Sequence, residues 1–336
     1  MPVKPVVKIL ASDFSHLAFL YTWRESGVTR QHGFELQVHA TKLRSPDQPY
    51  LENPDRAPRL LDGTYDFLSG LHHEPYYYRA KGDKRFVYLA QAQNDWDDRF
   101  VVSDSIRSVR DLEGKTVIAA APAPCVLGNL RHSIEAAGAD LSRINFVTDT
   151  QRPGDRASRT LDAVLSNEAA GAGVDPPFDL RAEKLGLHVL ELPAIPVIHN
   201  CTICSNIEWV RENEETTLAF LRSMVDAIHF FKTEPSRVCE ILEAHVAPVL
   251  GIKSHEEIEH LQSVWARLLS AKPFPHPLAV WNVYNLDVAH DANINFIGPF
   301  DLWDTHYLRA IDDSQYIDEL YGSAHEAVNP PVNPAI

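Results

Sequence analysis

The chain has 336 residues, 45% of them hydrophobic, and a formal net charge of −15 at pH 7. That is more than one typical domain, with apolar content ample for a packed core. Acids are spread along the chain, which excludes a nucleic-acid partner, because phosphate contacts need clustered Lys and Arg. No run approaches the roughly eighteen apolar residues of a membrane span, and the N-terminus reads as lacking an export signal. The expectation is therefore a cytoplasmic protein; a trimmed periplasmic chain would read the same way.

In chain order, Val6 to Leu10 reads as a first strand. It runs through Ser12-Asp13-Phe14-Ser15-His16 into a helix over Leu17 to Glu25. Ser12 or Asp13 suits the N-cap, since its side chain can accept the orphan N–H groups of the first turn. Phe34 to Thr41 alternates and predicts a second strand. A Pro-rich loop, Ser45 to Asp55, precedes a helical return at Arg56 to Leu61.

The stretch from Leu60 to Arg99 organises the rest. A short strand, Tyr65 to Ser69, breaks at Gly70 into Leu71-His72-His73-Glu74-Pro75. Pro75 opens a helix to Ala80, at a position where its missing N–H costs nothing. The strand Phe86 to Gln91 then ends in Asn94-Asp95-Trp96-Asp97-Asp98-Arg99. Open α/β sheets bind ligands at the carboxyl ends of strands. His72, His73, Glu74, Asn94, Asp95 and Trp96 lie at two such ends, so chemistry or binding is expected there.

Phe100 to Val102 reads as a crossing into a second lobe. Val109 to Leu112 predicts a short helix, Thr116 to Ala120 a strand, and Ala123-Pro124-Cys125 the start of a helix reaching Ala137. Backbone N–H groups at such a start, assisted by the helix dipole, make an anion site. Cys125 would be stabilised as a thiolate there, or simply pack. Ile144 to Thr148 and Ala169 to Val174 are further strands, separated by a helix over Ala157 to Leu165. Arg152, Arg156 and Arg159 fit bidentate recognition of an acid group or a solvated helix face equally well.

Leu187 to Leu192 and Val197 to Ile203 read as strands. The chain has four cysteines, of which Cys201 and Cys204 have C-x-x-C spacing. In an extended strand these two side chains point to opposite faces, which favours buried fillers over metal or redox chemistry. Helices follow over Glu212 to Lys232, from Pro235 to His245, and from the capping box Ser254-His255-Glu256-Glu257 to Leu269. The tail from Pro273, rich in Trp, Tyr and His, reads as irregular structure: a site wall, an oligomer contact or a lid.

Gly63-Thr64-Tyr65-Asp66-Phe67 with Gly70, the Gly82-Asp83-Lys84 turn, the Val87-Tyr88-Leu89 strand and Val109-Arg110-Asp111-Leu112-Glu113-Gly114-Lys115-Thr116-Val117 form one set. This set resembles the sulfonate, taurine and nitrate solute-binding proteins, a superfamily shared with thiamine-pyrimidine synthases. The likeness covers roughly residues 5–250 and includes Asp175-Pro176-Pro177-Phe178-Asp179 and Val210 to Ala227.

It implies an α/β, two-lobed periplasmic-binding-protein-like fold with a two-strand hinge, residues 100–103 and 199–206, and an interlobe cleft. Lobe 1 would comprise residues 1–102 plus 205–336, and lobe 2 residues 103–204. The resemblance implies ligand contacts from Ser12, Asp13 and Phe14, from Ala123, Pro124 and Cys125 at the anion site, from Asp175 and Phe178 at a strand end, and from His199. Related desulfinases place a nucleophilic Cys in the first loop, where this chain has Phe14 and Ser15; the synthases carry a cysteine cluster that Cys201 and Cys204 do not reproduce. Thiol and iron-dependent self-sacrificing mechanisms are therefore not expected.

Two functions compete. One is a cytoplasmic lyase or hydrolase, decarboxylase- or desulfinase-like, acting on a small organic acid, with His72, His73, Glu74 and His16 as catalytic groups. A metal is not expected, because adjacent residues seldom point to one centre, and no cofactor is implied. The alternative is the substrate-binding component of an ABC-type importer, partnered by a permease, for sulfonate-, nitrate- or taurine-like solutes.

Overall fold

The computed structural model describes residues 5–11, 14–40, 56–96, 99–119, 124–148, 156–193 and 195–322. The loop expected over Ser45 to Asp55, the turn at Arg152 and the chain end from Asn329 lie outside the described residues.

Two five-stranded sheets carry the architecture. The first is built from β1 (Val6–Ala11), β2 (Glu35–Ala40), β3 (Phe67–Ser69), β4 (Phe86–Gln91) and β12 (Thr202–Asn206), in the order β2-β1-β3-β12-β4. β1 pairs parallel with β2 and β3, whereas β12 returns antiparallel between β3 and β4. The second contains β6 (Arg99–Val102), β7 (Thr116–Ala119), β8 (Asn145–Thr148), β9 (Gly171–Val174) and β10 (His188–Val189), in the order β10-β6-β9-β7-β8. Between them, β5 (Asp95–Trp96) and β11 (Ile195–Pro196) pair antiparallel as connectors. The sequence reading puts the crossing at 100–103 and 199–206; in the structure β6 already belongs to the second sheet and β12 to the first.

The first sheet is covered by helices because its residues demand it. The Leu17–Glu25 helix buries Leu17, Phe19, Leu20 and Trp23 completely. It packs against the Glu214–Thr233 helix, where the Trp23 ring lies 4.6 Å from Phe220 and the Trp23 indole N–H donates to Ser223 at 3.1 Å. Phe220 stacks on Phe67 of β3 at 3.8 Å, tying helix to sheet. In the second sheet Gly171 is required by close approach: a Cβ there would come within 2.7 Å of Phe100 and 3.1 Å of the Val101 carbonyl. Cys201 and Cys204 pack in different core clusters, on opposite sides of the first sheet.

Two expectations are corrected. Val197 to Asn200 is not strand; Cys201 takes a left-handed backbone, φ +61°, and extended structure starts at Thr202. The tail is not irregular but forms helices over Pro277–Leu286, His306–Asp313 and Tyr316–Tyr321. Its clustered Pro and aromatic residues mask ordinary helical spacing at Ala279, Val280, Val283 and Tyr284, all buried. Among the described residues, no helix is long and apolar enough to cross a membrane.

Candidate functional site

The ends of four strands meet at one edge of the first sheet, where Ala11 pairs Ser69, Ser69 pairs Ile203, and Gln91 pairs Thr202. Ser69, Gln91 and Thr202 are polar residues closing otherwise apolar strands, and all are fully buried. Buried polar groups persist only where hydrogen-bonded, and here they bond to histidines and to one another.

His16, at the start of the first helix, is held by both its neighbours. The Cys201 backbone N–H donates to its Nδ1 at 3.2 Å, and the Ser69 hydroxyl lies 2.8 Å from the same nitrogen. Nδ1 is therefore the acceptor and the ring proton sits on Nε2. The left-handed turn at Cys201 aims that N–H at the imidazole; strain of this kind in a non-glycine residue gathers at functional sites. Burial pushes the Cys201 thiol up to about 12, so it is no nucleophile.

His72 is anchored through Nε2, which donates to the His199 carbonyl at 2.8 Å and lies 3.0 Å from the Thr202 hydroxyl. Thr202 in turn donates to Gln91. The Tyr88 hydroxyl donates to the His72 carbonyl at 3.0 Å. Burial first, then the neighbouring imidazoles His73, His199 and His16, drive the His72 pKa well below the ordinary histidine value. The ring is neutral at pH 7. Asn200 completes this edge, accepting from Ser15 at 3.2 Å through its side chain and from Gln91 at 3.1 Å through its carbonyl.

His73 faces a different way. Its ring is nearly perpendicular to that of His72, centroids 6.3 Å apart. Among the described residues neither of its ring nitrogens has a hydrogen-bond partner, although the residue is only 7% exposed. The Asp287 carboxylate, at the end of the Pro277–Leu286 helix, lies 3.7 Å from Nδ1. Burial lowers the His73 pKa, opposed by Asp287 and Glu74. The Tyr77 hydroxyl donates to Asp287 at 3.3 Å. The same helix reaches the second sheet's side: a Cβ on Gly128 would lie 2.7 Å from Leu286.

The remaining expected residues divide. Glu74 is engaged by Arg56 at 2.7 Å. Asn94 is tied at both ends of its amide, donating to the Phe274 carbonyl at 2.9 Å and accepting from the His276 N–H at 2.8 Å. Asp95 and Trp96 form β5, and Trp96 is buried in the second sheet's core. Cys125 is half-buried in a wide helical turn, Pro124–Gly128, that runs into the Asn129–Ala136 helix. Asp175 follows β9, and its carbonyl accepts from Phe178, whose ring is core. Ser12, Asp13 and Ala123 lie outside the described residues, and the Phe14 and Pro124 side chains are not described. Among the described residues, no three His, Cys, Asp or Glu side chains converge as a metal site.

Sequence reasoning passes over Ser69, Gln91, Thr202 and Asp287. The first three carried a usable signal, a polar residue ending an apolar strand; Asp287 carried none, being far away in the chain.

The NMT1/THI5-like family profile matches residues 53–238, more than half of the chain. The chain belongs to that family. No curated protein sequence matches it. Among solved structures, the periplasmic sulfonate-binding protein SsuA of Methylobacillus flagellatus is 15% identical with a TM-score of 0.63, covering 95% of this chain and 96% of that one. The desulfurization enzyme DSZB, in complex with biphenyl-2-sulfinic acid, is 12% identical with a TM-score of 0.62, covering 93% and 100%. A Candida albicans protein with the generic periplasmic binding protein fold is 11% identical with a TM-score of 0.59, covering 90% and 96%. These likenesses establish the fold, which is that of the periplasmic binding proteins, as the two sheets and paired connectors already require.

Proposed function

We propose that the chain is a small-molecule-binding protein that clasps a small organic acid between its two sheets, as the solute-binding component of an ABC-type uptake system for sulfonate-, nitrate- or taurine-like solutes. The observation that carries this reading is the hydrogen-bonded strand edge. His16 and His72 are fixed in one tautomer each by backbone and hydroxyl partners, and the buried Cys201 thiol beside His16 is protonated. An imidazole N–H held at His16 Nε2, beside a thiol that is no nucleophile, suits recognition of an anion rather than its conversion. The Cys125 turn, leading into a helix from the second sheet, would receive the acid group, and His16 and Asn200 would meet the rest. The nearness of SsuA and the family membership support the same class.

A second reading, a lyase or hydrolase on a small organic acid, is favoured by one observation. His73 is a buried imidazole with no hydrogen-bond partner among the described residues and a carboxylate 3.7 Å away, the arrangement of a general base that waits for substrate. Calorimetric titration of the intact chain with small aliphatic and aromatic sulfonates and carboxylates separates the two. Mass spectrometry of the mixtures then follows the fate of the ligand. The binding reading expects saturable binding with the acid recovered unchanged; steady consumption that His73→Ala abolishes would establish the enzyme instead.

A further inference from the structure

Away from the strand edge, the two sheet units meet at a seam of charge. The Phe178–Lys184 helix lies between β9 and β10 of the second sheet, and the His255–Leu268 helix packs in the core beneath the first. Arg181 of the former makes a two-pronged pair with Glu257 of the latter, at 2.9 and 3.1 Å. It also donates to the Gly251 carbonyl at 2.9 Å. The Lys253 N–H holds Glu257 from its own side at 2.8 Å. Asp179 meets His260 at 2.8 Å and the Arg99 Nε at 3.3 Å. Asp179 is 3% exposed and Glu257 5%, so parting the units here unpairs charges already removed from water, the costly half of a buried ion pair.

We propose that this seam is an interlobe latch, in which Asp179 and Arg181 hold the second-sheet unit against the His255–Leu268 helix and the charge on His260 grades its grip. The inference rests on the two-unit clasp but not on any particular ligand. The groups acting on His260 are Asp179 and Glu183 from the facing helix and Arg99 from β6. The Asp179 hydrogen bond raises its pKa, against the opposing effects of burial and Arg99. A raised value in the latched form means that the contribution is complete below the ordinary 6.5 and is lost as pH climbs through the raised value. The latch is therefore tight in mild acid and loosens in mild base.

Small-angle scattering from the ligand-free full chain at about pH 6 and about pH 8 tests this, two values that bracket histidine titration. The expected result is a larger radius of gyration at the higher pH for the native chain, loss of that difference in His260→Gln, and an enlarged radius at both values in Arg181→Gln. Arg181→Lys, which keeps charge but not the two-pronged geometry, serves if Arg181→Gln fails to unfold cooperatively. A pH response that survives in His260→Gln, or an Arg181 variant as compact as the native chain, would overturn the latch. Because no ligand is present, a failed ligand screen leaves this test standing; compaction on adding an acid, with no pH response, overturns the latch alone.

Discussion

His72 is buried and His260 is about a third exposed, and their surroundings drive them in opposite directions. His72 has imidazoles, a carbonyl and a hydroxyl around it, and burial leaves it neutral. His260 faces the carboxylate of Asp179, whose hydrogen bond outweighs burial and favours the charged ring. The strand edge is thus a place of fixed dipoles, the seam a place of paired charge. On the proposed readings the first would recognise an acid and the second would hold two units together.

Removing charge at the seam should cost most. Glu257→Ala leaves Arg181 without its two-pronged partner, and urea unfolding should show a loss of about 3 kcal/mol; a loss near zero would make the seam no different from a surface pair. Acidification should act next, through the strand edge. His72 and His73 have depressed values, so the unfolded chain takes up protons first as pH falls below about 6.5. Each should then remove about 1.4 kcal/mol of stability per pH unit. A stability curve flat from pH 6.5 to 5.5 would contradict neutral histidines there.

His16→Ala strips the acceptor from the Cys201 N–H, with an expected cost of about 1–2 kcal/mol in stability and about tenfold in affinity for the bound acid, equivalent to 1.4 kcal/mol. Unchanged affinity would move the ligand away from His16. Tyr88→Phe should do least, about 1 kcal/mol for one buried hydrogen bond, with affinity unaltered, since its hydroxyl donates to the His72 carbonyl.

Much of the scaffold is legible in the sequence where spacing is regular. The Leu17–Glu25 helix, the strand Phe86–Gln91 and the Val109–Leu112 turn lie where the sequence places them. The misreadings have local causes. Val197 to Ile203 is rich in strand formers, yet a left-handed Cys201 serves the His16 contact instead of a longer strand. Three of the residues singled out in the sequence, His72, His16 and His199, come together in the structure. The backbone of Phe274 and His276, distant in the chain, closes on the Asn94 amide. Glu74 is met by Arg56, which the local spacing does not announce. Such pairings belong to tertiary structure and leave no trace in local spacing.

Crystals grown with the tightest-binding acid from the titration panel test the central claim most directly. The account predicts ligand density between the strand edge and the Cys125 turn, with His16 or Asn200 within hydrogen-bond distance and the acid intact. Density on the outer surface, or a bound acid touching none of His16, His72 and Asn200, would contradict it.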